Sequence, residues 1–581
     1  MAKIPVEAGK EYEIKIGSLG SSGEGVGRYN GFTVFVPGAL PQEKVKVRIL
    51  EVKKTYAAGK LLKVIEASED RVKPECPIYE ACGGCQLQHI SYEGQLKLKQ
   101  QQVQDALERI GHQKNLKALP TLGAENPWNY RNKVAFPVGR EKGKTIIGCF
   151  AKGTHRIIDA SHCLIQEQVN NDAITAVREV IEKLGIPVYD EDRHTGVMRH
   201  VVARTGIKGK LMVVLVTATP KLSKEKEIIK MLRNRLPNMV SLQQNIQTYR
   251  NNVILGRETK VLWGSPTIKA GLDKFAFNVS ARSFFQVNTR QAERLYAKAL
   301  EYAQLTGQET VIDAYCGTGT ISLYLAQRAR NVYGVEIVSP AIRDAQKNAR
   351  ENNIRNAEFI VGDCTKVMPR LYQQGIRADV VVVDPPRAGC TEQVLKTFAN
   401  MKPKRIVYVS CNPATLARDI EILEKLGYKA EKIQPVDMFA QTSHVERVWG
   451  SKKFLVYYFV TGIGAALLHN GVTYLEALHY ASVGDQLSFN MLHMIPTVGA
   501  SGAIYGLLLA YGMLFPNDRI MLLIPPIPLK AKYFVIIFGV LELLLGLSNP
   551  GGSIAHFAHL GGMLFGLVLI LYWKKNNRMY Y

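Results

Sequence analysis

The sequence predicts an α/β protein in three parts: a small N-terminal β-barrel, an open, doubly wound parallel sheet, and an all-α segment of four transmembrane helices. Three observations support this prediction. Residues 10–65 alternate between apolar and polar side chains, with glycines between the runs. Residues 311–411 contain five apolar, strand-like runs separated by helical stretches. From residue 450 onward the chain has 8 Lys and Arg and 4 Asp and Glu in 132 residues.

The charge of the chain indicates a polyanionic partner. The 581 residues include 74 Lys and Arg against 50 Asp and Glu, a formal net charge of +24, of which residues 1–449 contribute +20. A composition with 47% hydrophobic and 21% charged residues excludes a disordered or low-complexity chain. The first part is therefore a basic protein suited to nucleic acid, and the second part has the composition of membrane segments.

The N-terminal strands predict a closed barrel with one basic face. The runs EYEIKIGSL, FTVFVPG and EKVKVRILEVKKTYAAGKLLKVIE are short strands with glycine turns between them. Alternate Lys and Arg would line one face, as in RNA-binding barrels, although a merely solvated face explains the charges as well. The stretch resembles a TRAM domain, the OB-like RNA-binding module of RNA-modifying enzymes. This resemblance implies that residues 1–70 bind RNA.

Three of the nine cysteines lie close together as Cys76-x5-Cys82-Gly-Gly-Cys85. Thiols on such a tight loop in a basic chain indicate a metal or cluster site rather than disulfides. An iron–sulfur cluster usually takes four thiolates, and Cys163 is the first candidate for the fourth, with Cys149 second. The spacing alone does not distinguish iron from zinc, and buried cysteines without a ligand are a third interpretation.

Polar residues follow the ends of the predicted parallel strands. Gly317, in VIDAYCGTGT, lets the backbone approach a ligand, Glu336 suits ribose hydroxyls, and Asp363 suits an adenine amino group. Asp384 and Cys411 end the next two strands. Because carboxyl ends of parallel strands meet at one edge, these residues predict a site for a nucleotide-like ligand. Each carboxylate taken alone could equally be a helix N-cap or a surface loop.

Five motifs resemble those of the RNA uracil-5-methyltransferases: SFFQVN (283–288), DAYCGTGT (313–320), DPPRAGC (384–390), SCNPATLARD (410–419) and QTSHVE (441–446). With the barrel and the cysteines, the resemblance is to the 23S ribosomal RNA branch, which has a TRAM domain and a 4Fe–4S cluster. It implies a central RNA-binding subdomain over residues 71–280 and a Rossmann-like, S-adenosylmethionine-dependent domain over 281–449. The implied cofactor contacts are Gln286, Tyr315, Glu336 and Asp384, and the implied cluster ligands are Cys76, Cys82, Cys85 and Cys163.

The resemblance also implies that Cys411 is the nucleophile and Glu446 the general base. The chemistry suits these residue types, because uracil C5 becomes nucleophilic only after a thiolate adds to C6, and a base must then remove the C5 proton. A helix beginning near Pro413 would lower the pKa of Cys411 through its N-terminus. Cys316, Cys364 and Cys390 are better candidates for inert packing.

Apolar stretches after residue 450 predict transmembrane helices. No charged residue occurs between Asp485 and Asp518, which argues against the core helices of a soluble domain. The Lys and Arg residues of residues 450–581 fall before the first stretch, between the second and third, and after the fourth, so both termini are expected in the cytosol. We therefore expect a membrane-anchored chain with a cytoplasmic catalytic part. The stretches are Phe454–Leu468, Pro496–Phe515, Tyr533–Leu547 and Ile554–Trp573.

Ser501 and His559 lie about six residues into the second and fourth of these helices, or roughly 9 Å deep at 1.5 Å per residue. A Ser and a His at one depth indicate a nucleophile and its base, although hydrogen bonding between helices explains either residue alone. GASGAIYG and AHLGG resemble the rhomboid intramembrane serine proteases over residues 445–575. The first two core helices of that family and their His-x3-Asn pair are missing from residues 450–581. We therefore expect a truncated rhomboid-like domain over residues 450–581 without protease activity.

The resemblance therefore implies methylation of C5 of a uridine in 23S ribosomal RNA through a covalent cysteine adduct. The alternatives are a tRNA uracil-5-methyltransferase, an intramembrane serine protease, and a membrane-tethered RNA-binding protein without either activity. The two family patterns overlap on Val445, Glu446 and Arg447, which favours a recombination or sequence-assembly chimera over a fusion of whole domains. The predicted partners are 23S RNA and a membrane through residues 454–573, and the sequence identifies no protein partner.

Overall fold

The computed structural model describes residues 4–20, 23–160, 162–249 and 253–443, and beyond them 519–521, 528–548, 556–575 and the single residues 482, 505, 508, 509 and 513. The chain divides into two compact units, residues 1–445 and 446–581. The base predicted at Glu446 and the nucleophile predicted at Ser501 lie outside the described residues. So do the apolar stretch 454–468 and most of the stretch 496–515.

Five strands near the N-terminus form a closed barrel. They are β1 (Glu11–Leu19), β2 (Glu24–Tyr29), β3 (Phe32–Pro37), β4 (Lys44–Val52) and β5 (Tyr56–Glu66), in the order β1-β2-β3-β5-β4. In β4 the side chains of Val45, Val47 and Ile49 are fully buried, and the cationic residues between them are exposed. Alternation along a strand thus fills the barrel with apolar side chains and leaves the charges outside. The predicted small N-terminal barrel is confirmed.

A buried ion pair joins the barrel to the segment that follows it. Glu43 is fully buried and binds Arg71 through both carboxylate oxygens, with Arg71 Nε 2.5 Å from Oε1 and Nη2 2.8 Å from Oε2. Leu40 N donates to Oε2 at 2.8 Å. Burial by itself would raise the pKa of Glu43, but the bonds from Arg71 and from the backbone outweigh it and lower the pKa. The chain leading to the cysteine loop is therefore fixed against the barrel.

The first unit also contains a seven-stranded sheet. Its strands are β6 (Lys133–Glu141), β7 (Lys144–Phe150), β8 (Ile157–Asp159), β9 (Met198–Thr205), β10 (Leu211–Thr217), β11 (Met239–Ile246) and β12 (Glu258–Gly264), in the order β12-β11-β10-β9-β6-β7-β8. Every residue of β9 and β10 is buried, because both faces are covered. Val213 and Leu215 face the core with helices α2 (Gln168–Leu184) and α3 (Glu225–Arg235). Met212 and Val214 belong to the core on the other face.

The second sheet has five parallel strands. They are β15 (Thr310–Ala314), β16 (Asn331–Glu336), β17 (Ala357–Val361), β18 (Val380–Val383) and β19 (Arg405–Tyr408), in the order β17-β16-β15-β18-β19. The hairpin β13 (Thr267–Leu272) and β14 (Phe275–Ser280) precedes it. The helices are α1 (Tyr92–Arg109), which follows the cysteine loop, and α4 (Thr289–Ala303), α5 (Thr320–Ala326), α6 (Ser339–Glu351), α7 (Cys364–Gln373), α8 (Glu392–Asn400) and α9 (Pro413–Lys425). Strand order reverses beside β15, so the predicted doubly wound parallel sheet is confirmed.

The described residues of the second unit form two helices and a two-stranded sheet. Strands β20 (Arg519–Met521) and β21 (Pro528–Lys530) pair antiparallel ahead of helices α10 (Ala531–Ser548) and α11 (His556–Lys575). The segment is therefore not all-α as predicted, because the loop between the second and third apolar stretches reverses and its two arms pair. Among the described residues, every helix is too short or too polar to cross a membrane.

Replacing Glu43 tests the attachment of the barrel. In Glu43→Ala the partly buried Arg71 loses its partner, and we expect the free energy of unfolding to fall by about 3 kcal/mol, since removing one member of a buried pair costs about 3–5 kcal/mol. The pKa of Glu43 is lowered from 4.5 in the folded protein. Its contribution is therefore fully present above about pH 4.5 and is lost as the pH falls through the folded-state pKa. Urea unfolding at several pH values measures both effects.

Glu13→Ala is the matched control, because Glu13 forms an exposed ion pair with Lys44 on the same barrel, with 56% of the Glu13 side chain accessible. Such a pair contributes about 0–1 kcal/mol. Equal losses in the two variants would contradict the role given to Glu43.

Candidate active site

The turn after β15 opens the edge of the parallel sheet to a ligand. Tyr315, Gly317 and Gly319 all have positive φ, at 62°, 54° and 81°. A Cβ at Gly319 would lie 2.9 Å from the Phe359 ring, so this glycine is required by packing. A Cβ at Gly317 would meet no atom within 4 Å. The backbone at Gly317 therefore borders an open volume, as the sequence predicts for a position that a ligand approaches closely.

Glu336 and Asp363 follow the next two strands of the sheet. Glu336 accepts from Gly317 N at 3.3 Å and from Val338 N at 2.8 Å, so its carboxylate holds the turn in place. Asp363 caps helix α7, accepting from Thr365 Oγ1 and N at 2.7 and 2.8 Å, and these bonds lower the pKa of Asp363. One oxygen of Asp363 therefore serves as the helix N-cap, the alternative that the sequence left open.

Asp384 and Cys411 lie close together at the ends of β18 and β19. Burial raises the pKa of Asp384 to about 6. Cys411 is an exposed residue, and the charges of both Asp384 and Arg387 act on the pKa of its thiol. Burial raises the pKa of Cys411, and Arg387 opposes that rise. The net direction is therefore opposite to the lowering expected from a helix N-terminus, because desolvation of the sulfur is the largest cause.

Hydrogen bonds join the loops that carry these two residues. Asn412 Nδ2 donates to the Arg387 carbonyl at 3.1 Å, and the Asn412 side chain caps α9 by accepting from Ala414 N at 3.1 Å. The fully buried Asp419 accepts from Cys390 N at 2.8 Å and from Tyr408 Oη at 2.6 Å. The DPPRAGC and SCNPATLARD segments therefore form one rigid rim around Cys411.

The SFFQVN loop brings Gln286 toward the same core. Gln286 Nε2 lies 3.5 Å from Tyr296 Oη, and the Gln286 carbonyl accepts from Asn132 Nδ2 at 3.1 Å. Phe284 in this loop is 76% exposed, whereas Phe285 beside it is buried. An exposed aromatic ring is a stacking surface for an unpaired base. The sequence analysis missed Phe284. The signal that could have identified it is the pair of adjacent Phe residues, because only Phe285 enters the core.

Two cations lie beneath that loop. Arg204 is 2% exposed, donates from Nη2 to the Ser283 carbonyl at 3.0 Å, and keeps Nη1 without a partner among the described residues. Lys133 pairs with Arg204 across β6 and β9, and burial, followed by the charges of Arg204 and Arg131, lowers the pKa of Lys133 to about 8. Sequence reasoning missed both, because nothing in a strand pattern marks a cation as buried.

The structure brings together the cysteines predicted as metal ligands. Burial raises the pKa of Cys85 to about 12 and that of Cys163 to about 11, with smaller contributions from the neighbouring thiols. Cys149 donates to Cys82 and lowers the pKa of Cys82 to about 6. Within the described residues, no three of these sulfurs lie within 4.8 Å of one another. They are thus spread more widely than the ligands of one tetrahedral zinc ion.

Of the pair predicted for the second unit, the structure describes only His559. His559 is buried and stacks on Tyr505, with ring centroids 4.2 Å apart. Its Nδ1 lies 3.0 Å from Oε2 of Glu542. The base predicted for the first unit, Glu446, lies beyond residue 443, where the description of that unit ends.

Three family models match different parts of the chain. The model described as tRNA (Uracil-5-)-methyltransferase matches residues 91–453, the TRAM domain model matches residues 5–62, and the Rhomboid domain model matches residues 438–576. The first and third matches overlap over residues 438–453.

The first 450 or so residues match known proteins over almost the full length of those proteins. An uncharacterised RNA methyltransferase of Halalkalibacterium halodurans is 52% identical over 447 residues, which cover 77% of this chain and 98% of that protein. One of Clostridium tetani is 51% identical over 456 residues, covering 78% and 99%. Among solved structures, the Pyrococcus abyssi tRNA (uracil-54, C5)-methyltransferase in complex with S-adenosyl-L-homocysteine is 29% identical, with a TM-score of 0.60, covering 74% of this chain and 98% of that one.

Proposed function

We propose that this chain, an S-adenosylmethionine-dependent RNA methyltransferase that belongs to the tRNA (uracil-5-)-methyltransferase family, methylates C5 of a uridine in 23S ribosomal RNA. The observation that carries the proposal is the accessible Cys411 beside Asp384, at the edge where Gly317 leaves an open volume. The barrel and the clustered cysteines favour ribosomal RNA. The Pyrococcus abyssi enzyme, named for its action on tRNA, supports transfer RNA as the alternative substrate.

The residues at the sheet edge fit S-adenosylmethionine. Gly317 lets a ligand reach the backbone, and Glu336 holds that turn with a carboxylate at the end of β16, the position that suits ribose hydroxyls. By the resemblance, Gln286, Tyr315 and Asp384 would complete the contacts, and the Asp363 oxygen that does not cap α7 would accept from the adenine amino group. When bound, S-adenosylmethionine supplies an electrophilic methyl group on a sulfonium. Phe284 offers its exposed ring to the uracil base.

Cys411, on an exposed residue, first loses its thiol proton to water. The thiolate sulfur then bonds to C6 of uracil, which moves the C5–C6 π electrons toward C5 and O4. Arg387 stabilises the thiolate form of Cys411 against the desolvation that raises its pKa. After C5 has gained the methyl group, Glu446 removes the proton from C5. The C6–S bond then breaks, and Cys411 leaves as a thiolate.

Substituting the two reacting residues should separate their roles. Cys411→Ala abolishes tritium transfer from labelled S-adenosylmethionine to RNA, because the other described thiols of this domain are buried. Glu446→Gln still methylates once but stalls as a covalent protein–RNA adduct, since the C5 proton stays in place. A denaturing gel detects the adduct, and purified 23S RNA and tRNA offered side by side identify the substrate.

Cys364→Ala is the matched control, because Cys364 is a buried thiol in the same domain and should keep its methyl transfer. Turnover in Glu446→Gln without any shifted band would contradict the base assignment. Methylation of tRNA alone would replace the ribosomal substrate with the alternative.

The cysteine set supports a 4Fe–4S cluster held by Cys76, Cys82, Cys85 and Cys163. All four are partly buried thiols, as iron–sulfur ligation requires, and their wide spacing suits a cluster better than a single ion. Cys149, which donates to Cys82, is the second candidate for the fourth ligand. The transfer chemistry has no redox step, so the cluster has a structural or RNA-orienting role.

Thiol substitution tests the cluster. The full chain purified without air should be brown, and Cys82→Ser should lose the colour, because removing one thiolate opens the cluster. Cys163→Ser should bleach as well, while Cys149→Ser keeps the colour if Cys163 is the fourth ligand. Cys316→Ser, in the parallel-sheet domain, is the control. Stoichiometric zinc without iron in elemental analysis would overturn this assignment.

Residues 450–581 are proposed to attach the chain to a membrane, with the methyltransferase part and both termini in the cytosol. The four apolar stretches and the position of the Lys and Arg residues support this topology. The Rhomboid domain match supports kinship with intramembrane proteases. Fractionation of cells that express the full chain tests the attachment, and recovery with ribosomes rather than membranes contradicts it.

The rhomboid-like segment should lack protease activity. Ser501 and His559 would supply a nucleophile and a base, but the helices that provide donors to the oxyanion are missing from the pattern. Loss of one such donor costs about 10²–10³ in rate. We expect no cleavage of a rhomboid reporter substrate in membranes that contain this chain. Cleavage that disappears in Ser501→Ala would contradict this expectation.

A further inference from the structure

Three metal-binding side chains converge between helices α10 and α11. Glu542 lies on α10, and His556 and His559 lie three residues apart on one face of α11. The Nδ1 atoms of the two histidines are 2.7 and 3.0 Å from the same Oε2 atom of Glu542. Among the described residues, these are the only three His, Cys, Asp or Glu side chains whose donor atoms all lie within 4.8 Å of one another.

The surroundings of this His–His–Glu cluster (Glu542, His556 and His559) resemble those of a metal site. The side chains of the three residues are 9–11% accessible. Tyr505 donates from Oη to the other oxygen of Glu542 at 2.6 Å, and its ring stacks on His559 at an interplanar angle of 9°. Metal-binding carboxylates are held in this way by outer hydrogen bonds. Tyr505 therefore fixes the orientation of two of the three donors.

The two histidines share one carboxylate oxygen. His556 Nδ1 bonds to Oε2 of Glu542 at 2.7 Å, and the buried His559 has its Nδ1 3.0 Å from the same oxygen. A cation between the three donors would be bound by both imidazole nitrogens and by the carboxylate, which already converge on one point.

We propose that Glu542, His556 and His559 bind a divalent transition-metal ion, with zinc as the preferred ion. Two imidazoles and one carboxylate are a zinc donor set that leaves a fourth position open. The site lies wholly in the second unit and is independent of the cysteine cluster. It also bears on the predicted role of His559: a neutral imidazole that binds a cation through Nδ1 carries its proton on Nε2, so it is no base for Ser501.

Cobalt binding to the full chain tests the proposal, because Co²⁺ replaces zinc and absorbs in the visible region. In a background with Cys76, Cys82 and Cys85 replaced by Ser, which leaves two of the five clustered thiols, we expect one equivalent of Co²⁺ with visible bands and without a sulfur charge-transfer band. Glu542→Gln and His556→Gln should lose these bands. Tyr505→Phe keeps all three donors and should weaken zinc binding by about 10–100-fold, since it removes the outer hydrogen bond.

His155→Gln is the matched control, because His155 forms an exposed pair with Glu191 in the first unit, and it should bind the metal as the parent does. Circular dichroism shows whether the variants fold. Zinc X-ray absorption of the parent chain needs no variant and should show imidazole and oxygen ligands. No metal uptake by the parent, bands that persist in Glu542→Gln, or a first shell of sulfur alone would overturn the site and leave an ion-pair cluster.

Discussion

The candidate reacting groups depend on one constraint, which is that the five-stranded parallel sheet is buried on both faces. Val380, Val381, Val382 and Val383 are all without exposure, since helices cover the sheet above and below. Polar side chains inside such a sheet are costly unless they are hydrogen-bonded. Asp313 is a polar residue that is nevertheless fully buried in this sheet. Its carboxylate accepts from Ser322 Oγ at 2.5 Å, and burial raises its pKa to about 7. The remaining chemistry is therefore gathered at the carboxyl edge.

Local sequence patterns predicted the individual strands of the barrel and of the parallel sheet. The alternation around Val45 and Val47 indicated the barrel, and the valine run before Asp384 indicated a doubly covered strand. Contacts between distant residues left no such signal. Lys99 Nζ binds Asp437 Oδ1 at 2.6 Å across 338 residues, and Gln95 exchanges hydrogen bonds with Gln441. These bonds attach the segment after α9 to helix α1. The domain borders predicted from the sequence give no indication of them, because the bonded residues lie more than 300 positions apart.

The sequence predicted which residues lie at the strand ends, and it predicted their environments less well. Residue type and spacing identified Cys411, Asp384 and Gly317, because a ligand requires those groups at strand ends. Whether Asp363 caps a helix depends on Thr365 two residues later, and whether a cation such as Arg204 is buried depends on strands that pair from elsewhere in the chain. Burial and hydrogen-bond geometry are tertiary properties, so the sequence could name these residues without giving their charge states.

The raised pKa of Cys411 is compatible with nucleophilic attack. The nucleophilicity of a thiolate rises with its pKa, so a strongly lowered pKa would have given more thiolate but a weaker nucleophile. A thiol with a raised pKa is also less readily oxidised, since oxidation follows thiolate character. Arg387 supplies the opposing charge within the rim that Asn412 and Asp419 hold rigid. Partial burial of the sulfur and the charge of Arg387 therefore act in opposite directions on the pKa of Cys411, and burial has the larger effect.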